Sequence, residues 1–332
     1  MIKSELKLIG KISKLINSKG MPYPEDLVTG IGDDCAVYKI NDGKYALFTT
    51  DISIESSHFI TKQTTPQNIG YKAMTSNISD IAAMGGVPKL AFVSMGIPEH
   101  TDEEYILSVY EGMVEAAGKW GTVISGGDTS GAKEIVINIM VYGECQQMPI
   151  LRNGANTGDT IYVTGTLGDS LAGMGILNSK KNKNKDKHPN LVEKHNRPQC
   201  RIDIAGSIVD KFSPTAMIDI SDGLLTDLGH ICLSSKKGFS LYEDKLPVSE
   251  ELKKYLEMEK GHPGKFALFS GEEYELLFTS SKKRGDEALH EIDGIKITPI
   301  GEIVDKKYYL ISGEEKNEIE ITGFDHFSKK NI

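Results

Sequence analysis

Residues 29–58 read TGIGDDCAVYKINDGKYALFTTDISIESSH, and this stretch decides the fold. Its apolar residues alternate on both sides of Asn41-Asp42-Gly43, a combination typical of a β-hairpin. The hairpin would bring Asp33, Asp34 and Asp51 together near one end of a small sheet. We expect no lysine or arginine among them, so their pKa values rise or a cation lies between them. A plain glycine turn would explain Asp33 and Asp34 equally well.

Length and composition favour a two-domain globular protein that is neither a nucleic-acid binder nor a membrane-surface binder. The chain has 332 residues, and a boundary near Met148 and Pro149 predicts domains at 1–148 and 149–332. The net charge of -9 argues against a general partner of nucleic acids or anionic membranes. An acidic protein can still bind an anionic ligand when metal ions mediate the contact.

The cysteines and the N-terminus indicate a reduced, cytoplasmic protein. The four cysteines are scattered and form no CxxC pair, so they predict neither a zinc site nor a disulfide framework. Residues 2–16 carry apolar side chains at helical spacing, interrupted by lysine and glutamate, which predicts an amphipathic helix rather than a signal peptide. No apolar run approaches the roughly 20 residues that span a bilayer.

Periodicity along the chain predicts helices mixed with strands rather than strict alternation, which favours an α+β fold. The predicted helices cover 66–86, 102–119, 168–177, 202–210 and 223–234. The predicted strands cover 90–97 (buried), 123–125, 134–144, 160–164, 216–219, 239–242, 274–279, 297–303 and 308–311. The lysine-rich segment 179–190 reads as a solvated loop, with a partner-binding role as the less favoured alternative.

Aspartates recur at the predicted ends of helices and strands. They stand in NISD (77–80), GGD (126–128, at a strand end) and DISDG (219–223). Each has a plain structural alternative, namely a solvated helix position, a turn or a helix N-cap. Together they indicate ligands for hard cations, because Mg²⁺ prefers carboxylate, phosphate and water oxygens. Sites for softer metals, built from methionine or cysteine, are not indicated.

Known nucleotide motifs are missing from the sequence. It contains neither a GxxxxGK[ST] phosphate loop nor a kinase-type catalytic loop. A nucleotide would then be held by metal ions, by main-chain amides near Gly126 and Gly127, and by a few cations such as Arg152.

Nine motifs, in order along nearly the whole chain, resemble the thiamine-monophosphate kinase family. They are GIGDDCA (30–36), TTD (49–51), SSHF (56–59), NISDIAAMG (77–85), SGGDT (125–129), YVTGTLGDS (162–170), IDISDGL (218–224), SGEEYEL (270–276) and GFDHF (323–327). The GDD and GGD elements alone would identify only the wider superfamily of aminoimidazole ribonucleotide synthetase. In many relatives the motif at 271–275 reads GEDYE, and here it reads GEEYE.

The resemblance implies a fold and a reaction. An N-terminal metal- and ATP-binding domain would pair with a second subunit to close a β-barrel dimer, and a C-terminal α/β sandwich would complete the site. The reaction would be transfer of the ATP γ-phosphoryl group to thiamine monophosphate, giving thiamine diphosphate and ADP. Several Mg²⁺ ions would be required, and the protein would be a homodimer.

The resemblance also implies roles for individual residues. The magnesium ligands would be Asp34, Thr49, Thr50, Asp51, Asp80, Asp128, Asp219 and Asp222. The ATP contacts would be Tyr110, Gly127, Asp128, Arg152 and Ser221. The thiamine contacts would be His58, Glu272 and Phe324. Asp128 and Asp222 would be the most critical of these residues.

None of these roles is that of a general base, and phosphoryl transfer to a phosphate acceptor does not require one. A phosphate monoester is mostly dianionic at neutral pH, so the nucleophile needs no deprotonation. The remaining task is to align two anions and stabilise their charge. The ring of Phe324 could contribute about 0.5–2 kcal/mol to binding of the thiazolium cation; packing on the core is the alternative.

Two other interpretations stay open. The first is another enzyme of the superfamily. Selenophosphate synthetase would need a reactive cysteine near the N-terminus, and none precedes Cys35. A hydrogenase maturation factor would need a C-terminal cysteine, whereas this chain ends Lys329-Lys330-Asn331-Ile332. The ring-closing synthetase is disfavoured by Glu272 and Phe324. A regulatory nucleotide-binding protein is disfavoured, because it would have no use for so many unpaired acids.

Overall fold

The computed structural model describes residues 5–20, 22–179, 187–281 and 290–321. The strands form two sheets and helices pack against them, which confirms the predicted α+β class. The first helix, α1 (Glu5–Ser18), agrees with the predicted N-terminal amphipathic helix. No helix in the described ranges is long and apolar enough to cross a membrane.

The hairpin predicted around Asn41-Asp42-Gly43 forms and organises the first sheet. Asn41 pairs with Lys44 across the turn, and Val37 pairs with Leu47. The sheet has the order β1-β2-β3-β6-β4-β5. Its strands are β1 (Leu27–Thr29), β2 (Ala36–Asn41), β3 (Lys44–Ile54), β4 (Val87–Pro98), β5 (Val123–Ala132) and β6 (Val136–Cys145).

Helices α2 (Pro66–Ala83) and α3 (Glu103–Lys119) cover one face of this sheet. Thr65 caps α2 by accepting a hydrogen bond from the Asn68 amide, and Pro66 fits the first helical turn. The two helices approach closely because glycine stands at their contact: a Cβ on Gly112 would lie 1.8 Å from the Gln67 carbonyl oxygen. Buried side chains such as Ile78 and Met113 fill the space beneath them.

The second sheet has the order β14-β13-β9-β12-β7-β10-β8, with β11 paired to β12. Its strands are β7 (Thr160–Thr164), β8 (Ala216–Asp219), β9 (Gly238–Tyr242), β10 (Leu276–Ser280), β11 (His290–Ile292), β12 (Ile295–Val304), β13 (Tyr308–Ser312) and β14 (Glu315–Glu318). The helices are α4 (Asp169–Asn178), α5 (Pro189–Asn196), α6 (Ile202–Phe212), α7 (Leu224–Ser235), α8 (Glu250–Glu259) and α9 (Pro263–Phe269).

Apolar cores lie on both faces of the second sheet, because alternate residues of each strand point to opposite sides. Val163 and Leu277 face the core beneath α7 and α9, whereas Tyr162 and Phe278 face α6. The core under α6 also includes Ala82 and Ala83 of α2. Helix α2 therefore packs against both sheets, and it carries part of the functional site described below.

Three details of the sequence prediction were wrong. Strand β4 is not buried throughout, because alternate residues such as Phe92 are exposed on the face that α2 and α3 leave open. The strand predicted at 123–125 continues to Ala132, because β5 pairs in parallel with β4 along its whole length. A helix, α5, begins at Pro189 inside the predicted loop, of which residues 180–186 lie outside the described ranges.

Candidate active site

Three aspartates from separate segments meet where β8 approaches α2. Asp34 precedes β2, Asp80 lies near the C-terminal end of α2, and Asp219 ends β8. Their carboxylate oxygens lie within 4.8 Å of one another. The Ser79 hydroxyl donates to Asp219 Oδ2 at 2.6 Å and fixes its orientation. We call these three residues the acid group; all three were predicted as metal ligands.

Strand β3 carries three predicted ligands, and two of them, Thr49 and Asp51, lie beside the acid group. The Thr49 hydroxyl donates to the Asp80 carboxylate. Asp51 lies close enough for its charge to act on Asp80, and its amide donates to Asn77 Oδ1 at 3.0 Å. The Thr50 side chain lies on the opposite, exposed face and accepts a hydrogen bond from Asn138. Successive side chains of a strand alternate, so the structure does not bring the Thr50 hydroxyl to the group.

Burial and crowding raise the pKa values of Asp51, Asp80 and Asp219. Burial, together with the neighbouring charge of Asp34, raises the pKa of Asp219 to about 8. Burial also raises the pKa of Asp51, and that of Asp80 well above its usual range; Asp51 and Asp219 add to the effect on Asp80. Anions that repel one another in a buried place form a donor set that suits a hard divalent cation.

One cation does reach the acid group, contrary to the sequence expectation. Arg152 Nη2 lies 2.7 Å from Asp34 Oδ1, and Nε lies 3.2 Å from Oδ2, a bidentate pair. The Arg152 amide donates to Asp33 Oδ2 at 3.1 Å. Burial works against the charged guanidinium, yet Asp34 outweighs it and raises the pKa of Arg152. The pairing joins residues 118 apart along the chain, so no local pattern predicted it.

A second group, Asp222, Asp227 and His230, lies at the start of α7. Asp227 Oδ2 accepts hydrogen bonds from the amides of Ser221, Asp222 and Gly223 at 3.1, 3.1 and 3.0 Å, which fixes the loop after β8. Burial lowers the pKa of His230 to about 4, and the charge of Arg152 adds to this. Asp227 and His230 were missed, although their three-residue spacing on a predicted helix places them on one face.

Glu272 lies beside the loop after β8, and His58 is close enough for its charge to act on Glu272. The Glu272 amide donates to the Ser221 carbonyl at 2.8 Å, and its φ of 56° is a left-handed conformation. Burial alone would raise the pKa of Glu272, but Lys72, His195 and His58 lower it. Two of the three predicted thiamine contacts are thus brought together. The third, Phe324, lies outside the described residues.

Three predicted residues lie away from the acid group. Asp128 is exposed on the edge strand β5 and belongs to neither group, contrary to its predicted place at a strand end. Beside it, Gly127 has a φ of 151°, and a Cβ there would lie 1.7 Å from the Val93 carbonyl oxygen. The half-buried Tyr110 packs against the core of the first sheet.

A compensated buried cluster flanks the site and was not predicted. Glu275 is fully buried, and each of its carboxylate oxygens lies 2.5 Å from a guanidinium nitrogen of Arg201. Lys194 Nζ lies 2.8 Å from Oε1. Burial would raise the pKa of Glu275, but Arg201 and Lys194 outweigh it and lower that pKa. This carboxylate is paired with two cations, so it has no need of a metal ion.

Comparison with known proteins gives consistent matches over most of the chain. Residues 32–145 match the AIR synthase related protein N-terminal domain, and residues 156–312 match the C-terminal domain. The thiamine-monophosphate kinase of Aquifex aeolicus is 35% identical over 97% of this chain and 98% of its own length. That of Bacillus subtilis is 35% identical, covering 90% and 93%. A solved structure of AaThiL complexed with AMPPCP and TMP has a TM-score of 0.85 and 34% identity, covering 98% of this chain and 97% of that one.

Proposed function

The chain belongs to the thiamine-monophosphate kinase family, and we propose that the acid group and its surroundings carry out the reaction for which these relatives are named. In that reaction the γ-phosphoryl group of ATP passes to the phosphate of thiamine monophosphate, giving thiamine diphosphate and ADP. AaThiL binds AMPPCP, an ATP analogue, together with TMP, which supports ATP and thiamine monophosphate as the two substrates here.

The acid group fits Mg²⁺. It offers carboxylate oxygens within 4.8 Å of one another, held in place by Ser79 and Thr49 and balanced by a single close arginine among the described residues. We propose Asp34, Asp51, Asp80 and Asp219, with Thr49, as the core of the magnesium shell. Asp128, Asp222 and Thr50 remain proposed ligands that the structure does not place in the acid group. When bound, Mg²⁺ would neutralise and align the two phosphate groups.

The ATP side would use residues around β5 and Arg152. Asp34 engages Nε and Nη2 of Arg152, so further N–H groups of this guanidinium remain for a phosphate. Gly127 lies on the edge strand β5, where the absence of a side chain lets its main chain approach Val93 of β4 closely, and Asp128 follows it on the exposed strand. Ser221 lies in the loop after β8, where its amide donates to Asp227 Oδ2. Tyr110 is the remaining proposed ATP contact.

The acceptor side needs no general base. The phosphate of thiamine monophosphate is mostly dianionic near neutral pH and is itself the nucleophile. The task of the protein is therefore to orient the thiamine end, for which we propose Glu272 and the neighbouring His58. Phe324 stays a prediction from the sequence, since it lies outside the described residues.

The open face of the first sheet supports the proposed homodimer. On the side away from α2 and α3 it exposes large apolar side chains, namely Tyr38, Ile40, Phe48, Ile52, Leu90, Phe92 and Val123. An exposed, contiguous apolar face on a protein is typical of a surface at which proteins associate. We propose that two copies join here to close a β-barrel. The domain division at residue 148 and a cytoplasmic location also remain predictions.

The convergence of Asp34, Asp80 and Asp219 next to Arg152 is the observation that carries the proposal. The test is incubation of the purified protein with ATP, Mg²⁺ and thiamine monophosphate, followed by chromatography for thiamine diphosphate. We expect product that requires all three additions. No product, or turnover with an aminoimidazole precursor instead, would refute the proposal.

Asp128→Asn tests the least supported ligand. If Asp128 joins the site when ATP binds, turnover falls by about a hundredfold or more at an unchanged melting temperature. A near-normal rate would remove Asp128 from the proposed magnesium shell. Asp102→Asn is a matched control, because Asp102 precedes α3, where its side chain makes no capping hydrogen bond.

A further inference from the structure

The carboxylate of Glu272 is held by one oxygen only. Lys72 Nζ lies 2.5 Å from Oε2, and His195 Nδ1 lies 3.6 Å from the same atom. Within the part of the chain that the structure describes, Oε1 has no hydrogen-bond partner. The side chain is 31% exposed, so the carboxylate is not closed off from solvent. One oxygen is thus occupied by the protein, while the other remains available as an acceptor.

Lys72 reaches Glu272 from the same helix that carries part of the acid group. Lys72, Ser76 and Asp80 are spaced by four residues and lie along one side of α2. Ser76 lies close enough to Asp51 to oppose the rise in the pKa of Asp51. At 1.5 Å per residue, Lys72 lies about 12 Å from Asp80 along the helix axis. The lysine therefore lies about two helical turns along α2 from the carboxylate that would hold the phosphates.

His195, on α5, packs beside Glu272 Oε2 and limits the space into which the carboxylate can move. Its Nδ1 lies 3.2 Å from the Ser170 hydroxyl. Burial, together with Lys72, lowers the pKa of His195 to about 4, so the ring is neutral near pH 7. Lys72 then supplies the positive charge at Oε2. The left-handed backbone of Glu272 sets the direction in which its Cβ points.

We propose that Lys72 and His195 are positioning residues that fix Glu272 through Oε2 and present Oε1 to the cationic, hydrogen-bond-donating thiamine end of the substrate. The inference rests on the proposed function and adds two residues to it. Without Lys72 the carboxylate would lose its closest partner, rotate, and bind the substrate less well. The phosphate end would be unaffected, because it lies at the other end of α2.

Kinetics with Lys72→Met test the proposal, with binding of unphosphorylated thiamine as the second readout. We expect the KM for thiamine monophosphate and the Kd for thiamine both to rise about tenfold, while kcat and the KM for ATP change less than about threefold. Lys72→Arg restores part of the affinity because it keeps the charge. His195→Asn raises the same KM by about threefold. Lys39→Met is the matched control, because Lys39 pairs with Asp42 at the exposed hairpin turn.

Other outcomes overturn the inference. An unchanged KM in Lys72→Met refutes it, and so does a rise for thiamine monophosphate without any rise for thiamine, which would place Lys72 at the phosphate. If Lys72→Met does not fold, Lys72→Arg and His195→Asn decide by the same measurements. Absence of thiamine diphosphate with the unaltered protein would refute the proposed function itself, which is a separate result.

Discussion

The acid group and the cluster around Glu275 are both buried, yet the pKa values of their carboxyl groups are shifted in opposite directions. Glu275 has Arg201 and Lys194 against it, and its pKa is lowered despite burial. Asp80 and Asp219 lie among other carboxylates, and their pKa values are raised. A fold that only needed stability would pair every buried charge. The uncompensated carboxylates therefore indicate a site that awaits a cation, whereas the compensated one belongs to the scaffold.

The largest expected effect is on catalysis, in Asp80→Asn. Asparagine keeps the size and can still accept from Thr49, but it removes the charge that a metal ion needs. We expect turnover to fall by about a thousandfold, equivalent to about 4 kcal/mol in the barrier. The melting temperature should hold or rise, because a repelling charge is gone. A rate within tenfold of the unaltered protein would contradict the comparison.

The next effect is on stability, in Glu275→Gln. The change leaves Arg201 and Lys194 buried without their counter-charge. Breaking such a pair costs about 3–5 kcal/mol of unfolding free energy. Urea denaturation measures this loss, with Glu250→Gln as control because Glu250 forms only an exposed pair with Lys253. If Glu275→Gln and Glu250→Gln unfold alike, Glu275 is not the scaffold anchor described here.

A smaller effect is the pH dependence of stability without metal. The folded state raises the pKa of Asp219 from 3.8 to about 8, so it holds a proton that the unfolded chain has released. Unfolding free energy in EDTA should therefore fall by a few kcal/mol between about pH 5 and about pH 8. Saturating Mg²⁺ should reduce this decline, because it replaces the proton. Asp219→Asn should flatten the EDTA profile; an unchanged slope would show that Asp219 is not the group responsible.

Much of the fold was predictable because its signals are local. The Asn41-Asp42-Gly43 turn, the capped helix α2 and the aspartate motifs each follow from neighbouring residues. The errors concern long-range pairing: β5 extends because β4 supplies its hydrogen-bond partners, and Asp128 is therefore mid-strand. The pairing of the fully buried Glu275 was likewise not predictable from the sequence, because its two cations come from α5 and the start of α6.

The site was predictable as a set of residue types but not as a set of contacts. Motifs located Asp34, Asp80 and Asp219, and the structure brings their carboxylates together. The pairing of Arg152 with Asp34 and of Lys72 with Glu272 spans 118 and 200 residues, so only the tertiary fold creates it. Contacts of this kind separate Glu275, whose oxygens are bonded to Arg201 and Lys194, from Asp80 and Asp219, whose pKa values are raised.

Whether the acid group binds divalent cations can be measured with Mn²⁺, by electron paramagnetic resonance in the presence of AMPPCP. We expect tightly bound Mn²⁺ in the unaltered protein and in Glu275→Gln at a temperature where that variant is folded. We expect the loss of at least one bound ion, or a large fall in affinity, in Asp80→Asn. Equal number and affinity of bound ions in the unaltered protein and Asp80→Asn would contradict this expectation.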